Sequence, residues 1–262
     1  MLSKLIKYDM KALSRILLFP HLFILILAFI GRIFITSTIY LREPNHFEVL
    51  YFMLFFLSLA AMSGATYIII GIHFYKNLFS AQGYLSWTLP VTVDQHLLSK
   101  LISAFVWTLL NALFILLSLF IFAFGFGFHS MGEIVDEFYQ FFGNSAMSII
   151  VATTIYMLLA LVASILTIYF SITLGQLFAN HRILASTVIY GALSLITQIF
   201  YIFAIFSVNS HYFFVATENL SNDTVIGIYH RLLLFANIST VILIIVFYVI
   251  TRYLAKRKLN LA

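Results

Sequence analysis

Phe79–Lys100 reads FSAQGYLSWTLPVTVDQHLLSK and separates two long apolar blocks. It carries its own stop and start signals. Gly83 and Pro90 punctuate it, because Gly tolerates backbone angles that other residues avoid and Pro has no N–H with which to continue a helix. Thr92 and Gln95 have the spacing of a capping box, with Asp94 near the positive end of the helix dipole that would begin there. The stretch therefore predicts a short element over Ser80–Leu89, a break, and a new helix from Thr92. A structured elbow between two apolar blocks is placed to meet something in water.

Composition fixes the class outside the elbow. The 262 residues are 63% hydrophobic and 9% charged, with a mean hydropathy of +1.07, whereas soluble domains carry about 25% charged residues. Apolar runs recur at the length of about 20 residues that a helix needs to cross a hydrocarbon core of about 30 Å. The expectation is an all-α integral membrane protein forming one transmembrane domain over 1–262. Its basic residues flank apolar blocks rather than interleave with aromatics along one stripe, which argues against nucleic acid as a partner. With no Cys, disulfides and thiolate metal sites are excluded. No small-x-small cleavage pattern follows the first apolar run, so a cleaved leader is not expected.

The first 18 residues are amphipathic. Leu2, Leu5, Ile6, Met10, Leu13, Ile16 and Leu17 recur at helical spacing, with Lys4, Lys7, Lys11 and Arg15 opposite. Such a helix lies in the membrane interface, its cations toward anionic headgroups, and Pro20 then lets the chain turn into the bilayer. Six spans follow, over 19–41, 49–74, 96–128, 146–178, 183–208 and 232–254. Lys4, Lys7, Lys11, Arg15, Lys76, Lys100, Arg182, Arg252, Lys256, Arg257 and Lys258 fall on one side, and only Arg42 and Arg231 on the other. By the positive-inside rule both termini and the elbow are cytoplasmic. Glu43, Glu48, Glu133, Asp136, Glu137, Glu218 and Asp223 fall outside, in agreement.

Spans three and four exceed the bilayer, so they must tilt, break or project, and Gly125 and Gly127 mark a break near the outer end of span three. Span four carries Ala163, Thr167, Ser171, Gly175 and Ala179, small residues at every fourth position. Such a row lets helix backbones approach closely; it serves either tight packing within the chain or a pore-lining face. Arg32 is the one formal charge inside a span, either snorkelling to the outer boundary or facing an interior cavity. Asn111, Gln198 and Asn237 read as interhelical hydrogen bonders. The exterior intervals 129–145 and 209–231 read as loops, the second with a re-entrant start at His211.

Enzyme chemistry is not in evidence. The chain has no G-x-x-x-x-G-K-[ST] phosphate loop and no H-E-x-x-H, and its eight His are scattered near the two interfaces. No Asp or Glu is expected within a span, which removes the residues of a carboxylate proton relay.

Several short motifs then carry a resemblance. They are Lys7-Tyr8-Asp9 before span one, Gly83-Tyr84-Leu85 and Thr88-Leu89-Pro90 in the elbow, Ser99-Lys100 opening span three, and Lys258-Leu259-Asn260-Leu261 at the end. With six spans and both ends inside, the chain resembles the permease subunit of small bacterial type-two ATP-binding-cassette exporters. The resemblance implies that the elbow is a coupling helix docking on a separate ATPase subunit, which binds the ATP. It also implies that two permeases, identical or similar, form one exporter in the plasma membrane, with an amphipathic cargo such as a peptide or drug. On this reading Gly83, Tyr84, Leu85, Trp87, Leu89, Pro90 and Thr92 make the coupling site, with Tyr84, Leu85, Trp87 and Leu89 as exposed anchors. The alternatives are a non-transporting sensor or immunity module, whose elbow would be an ordinary loop, and a secondary carrier, which the missing carboxylates and inverted repeats disfavour. The elbow's exposed residues could also merely anchor a loop in the headgroup region.

Overall fold

Within a bilayer no water is available to satisfy backbone N–H and C=O groups, so an apolar chain of this kind must pair them inside each segment. The computed structural model, which describes residues 1–36, 46–123, 129–178, 180–208 and 221–257, is helical in every regular element. In chain order these are α1 (Leu2–Thr36), α2 (His46–Leu78), α3 (Ala81–Trp87), α4 (Val93–Ala123), α5 (His129–Phe142), a 3₁₀ turn (Gly143–Ser145), α6 (Ala146–Gly175), α7 (Arg182–Val208) and α8 (Asn222–Arg257). Among the described residues six helices, all but α3 and α5, are long and apolar enough to cross a membrane. The protein is an all-α, multi-pass membrane protein. Its contacts gather into two compact units, 1–132 and 133–262.

In the first unit α1 packs chiefly along α4 and also on α2. Leu13 and Leu17 close on Trp107 at one level. Further along, Ile24 and Ala28 meet Phe55, Leu59, Met62 and Phe122, and the Phe55 and Phe122 rings stack at 4.6 Å. Gly31 permits the closest approach there: a Cβ would collide with the Tyr51 ring and lie 2.9 Å from that of Phe122.

The turn expected at Pro20 does not occur. Helix α1 runs unbroken through it, joining the cationic first turns to the apolar span. Pro20 cannot donate a hydrogen bond, but the next residue stiffens the same turn, its His21 Nδ1 lying 2.6 Å from the Leu17 carbonyl. Helices in bilayers tolerate such a Pro where packing holds the turn. The cations Lys4, Lys7, Lys11 and Arg15 remain exposed, as their spacing implied.

In the second unit α6 packs along α8 and, less extensively, on α7. Phe170 stacks on Phe247 at 4.6 Å, and Asn237 Nδ2 donates to the Ala152 carbonyl at 3.2 Å. The interval 129–145, expected as a loop, is α5 and its 3₁₀ turn. Glu133, Asp136 and Glu137 are exposed, whereas Phe138 and Phe142 are half-buried and 4.6 Å apart. The mixture of acids and aromatics is thus a helical period rather than irregular polarity. Helix α8 likewise starts ten residues before the expected span, at Asn222, where Ser221 Oγ accepts from the Thr224 amide at 3.3 Å. The expectations at Gly125 and Gly127, His211, Ala179 and 258–261 lie outside the described residues.

Candidate functional site

The elbow is built from three local devices. Ser80 caps α3 by accepting from the Gln82 amide at 3.3 Å. At the far end Thr92 and Gln95 form the reciprocal box their spacing predicts: the Thr92 amide donates to Gln95 Oε1 at 3.2 Å and the Gln95 amide to Thr92 Oγ1 at 3.3 Å. Between them Trp87 Nε1 donates to the carbonyl of Leu78, the last residue of α2, at 3.0 Å. One of the carbonyls that a helix end leaves unpaired is thereby satisfied. The same indole lies 5.3 Å from the His96 ring on α4. Trp87 therefore staples the end of α2 to the start of α4.

This geometry sorts the proposed anchors. Tyr84, Leu85 and Leu89 are 66%, 75% and 46% exposed. Pro90 and Thr92 are exposed at the exit, and Gly83 is buried. Trp87 is half-buried and engaged within the unit, so the expectation that it stands exposed beside the others is corrected. An indole N–H has one bond to give, and here it goes to the backbone.

One turn beyond His96, Lys100 leads into a charge cluster that the sequence reading missed. Lys100 Nζ donates to Asp9 Oδ1 at 2.7 Å, and His73 Nε2 approaches the same oxygen at 3.0 Å. Asn77 Nδ2 donates to the His73 carbonyl at 2.8 Å. The Asp9 and Lys100 side chains are only 9% and 5% exposed. Lys100, taken from the sequence as one more cation marking the polar side, is in fact buried, and Asp9 is a carboxylate inside the helix packing. The signal was present in the periods. Asp9 continues the stripe Leu2, Ile6, Leu13, Leu17, and Lys100 the stripe Leu97, Ala104, Trp107, Asn111. An ionisable residue on an apolar stripe needs a partner, and each supplies the other's. Two of the short motifs, remote in sequence, thus meet in space.

The cluster ties α1, α2 and α4 at a level about two turns from the Thr92 cap, or about 12 Å. Buried ion pairs add little net stability but fix register, because any slip would strand a charge. Deeper in the same unit His21 Nε2 lies 3.2 Å from Asn111 Oδ1, which also accepts from Thr66 Oγ1 at 3.3 Å. Asn111 is the interhelical bonder its position implied. His21, His73 and His96 are engaged inside the unit. Loss of the cap should be local: Thr92→Ala should cost about 1 kcal/mol and speed hydrogen exchange in the first turn of α4 about fivefold.

In the second unit the small row divides. A Cβ on Gly175 would collide with Ser186 Oγ and lie 2.9 Å from the Arg182 carbonyl, so Gly175 sets the closeness of α6 and α7. Ser171 is buried, while Ala163 and Thr167 line a cleft. Between the helices His181 takes a left-handed backbone, φ 58°. Gly175→Ala should lower the thermal midpoint in detergent, since overpacking costs about 1–3 kcal/mol. Ser186→Gly in the same chain should recover only part, because the Arg182 carbonyl remains. Arg32 sits half-buried beside the Gly31 contact.

Comparison with family models, curated proteins and solved structures finds no match. The fold and the elbow by themselves define a helical membrane protein with a stapled connection between α2 and α4.

Proposed function

We propose that the chain is the membrane-spanning subunit of an ATP-driven exporter, with both termini and the elbow on the cytoplasmic face of a bacterial plasma membrane. One observation carries this reading. The elbow is fastened at both ends, by Trp87 to α2 and by the Thr92 box to α4, yet it leaves Tyr84 and Leu85 exposed. A loop that merely connects two spans needs no such fastening, whereas a lever does. Force applied at Tyr84 and Leu85 reaches α4 through a short rigid path, and the Asp9–Lys100 pair shares it with α1.

The force would come from an ATP-binding-cassette subunit, because this chain has no phosphate loop of its own. A second permease, identical or similar, would complete the path, and the cargo would be a peptide, drug or other amphipathic molecule. Native mass measurement of the complex extracted from its own membranes should find two permease chains, each 30.0 kDa if identical, together with ATPase subunits. A lone chain that retains no ATPase would overturn the reading in favour of a binding module.

A further inference from the structure

Midway along α6, α7 and α8, Tyr156, Thr167, Tyr190, Thr197, Gln198 and Tyr201 line a half-open cleft of about 250 Å³. Its chemistry is unusual for the middle of apolar helices: hydroxyls, one amide and phenol rings, with no charged residue among its described lining. Five of the eight hydroxyls in its described lining commit their protons to other groups. Ser164 Oγ donates to the Leu161 carbonyl at 2.8 Å and Thr167 Oγ1 to Ala163 at 2.8 Å. Thr197 Oγ1 donates to Leu193 at 2.8 Å and Thr240 Oγ1 to Ala236 at 2.7 Å. With the Thr240 proton so placed, the 2.9 Å contact between Tyr201 Oη and Thr240 Oγ1 has Tyr201 as donor. A hydroxyl has one proton and two lone pairs, so these five oxygens are left as acceptors, beside Tyr156, Tyr190, Ser194 and Gln198, which can also donate.

Such a polar wall cannot be satisfied by lipid tails. Phenol faces attract cations through the ring quadrupole. We propose that this cleft is a binding site for a primary ammonium or similar N–H donor group carried on an apolar or aromatic body. At about 30 Å³ per water its volume equals about eight waters, which suits a head group or one side chain of a larger amphipath. The proposal concerns the second unit alone and does not depend on the elbow binding an ATPase.

The cysteine-free chain offers a direct test in the full-length protein in lipid nanodiscs. Ser194→Cys places a thiol in the cleft, and Leu195→Cys places one on the exposed flank of the same helix. Each is treated with aminoethyl and with sulfonatoethyl methanethiosulfonate, with rates normalised to a free thiol. Ser194→Cys should react, with the cationic reagent favoured about tenfold, equivalent to about 1.4 kcal/mol. Benzylammonium should slow that labelling and benzoate should not, and adding Thr167→Val and Thr197→Val should erase the protection. Three results would overturn the proposal: a Ser194→Cys thiol as inert as that of Leu195→Cys, equal normalised rates for the two reagents, or labelling indifferent to benzylammonium. If the cleft behaves as expected while no ATPase accompanies the chain, this site stands and the exporter reading falls.

Discussion

Lys100→Met should be the most damaging single substitution in the first unit. It leaves Asp9 buried against His73 without its closest cation, Lys100 Nζ having stood 2.7 Å away. Removing one partner of a buried ion pair costs about 3–5 kcal/mol, because the remaining charge keeps its desolvation penalty. The loss here should fall near the lower end, since His73 can still bond Asp9 Oδ1. Adding Asp9→Leu to Lys100→Met should restore most of the stability, because an apolar pair of similar volume suits the site as well as the ions do. Thermal unfolding of the purified protein in detergent reads both steps. If the double variant is no more stable than Lys100→Met alone, the pair does not act as a unit. Transport should not recover with stability, because on this account the pair fixes the register between α1 and α4.

Leu85→Asp should weaken capture of the ATPase at least about 30-fold while leaving the fold intact. Leu85 is 75% exposed, so an aspartate there is solvated at no cost in the free permease. In an apolar docking pocket the same aspartate loses a central anchor, worth about 2 kcal/mol or more. That corresponds to capture weakened about 30-fold. ATP hydrolysis co-eluting with the tagged chain measures it. Trp87→Asp should differ in kind, since the indole that fastens the end of α2 is lost. It should lower the thermal midpoint as well as capture, whereas Trp87→Phe should keep the packing and lose only the hydrogen bond. Undiminished hydrolysis with Leu85→Asp would place the docking surface elsewhere.

The spans and the elbow were legible because they rest on local chemistry. Apolar length marks a span, and the Thr92–Gln95 box declares its helix start in four residues. What escaped the sequence reading depends on partners far along the chain. Asp9 and Lys100 are 91 positions apart, and each alone looks like a polar residue near a membrane surface. Only their places on the apolar stripes of α1 and α4 mark them as buried. Trp87 was misjudged for a related reason: its neighbours Tyr84 and Leu85 are exposed, but its own direction is set by the carbonyl of Leu78 and the ring of His96. Pro20 shows the converse, a strong local signal overridden by packing along both halves of α1. The acids of α5 were read by composition, although their period is helical.

On the proposed function the exposed face of α3 is where an ATPase pushes. A photoreactive phenylalanine analogue introduced in place of Leu85, in native membranes, tests it by marking whatever lies against that face. The same analogue in place of Leu113, exposed on the apolar length of α4, serves as the control. The account predicts that the Leu85 position cross-links to a nucleotide-binding subunit and the Leu113 position does not. Cross-links from the Leu85 position to lipid alone, or to a protein without a nucleotide-binding loop, would contradict it.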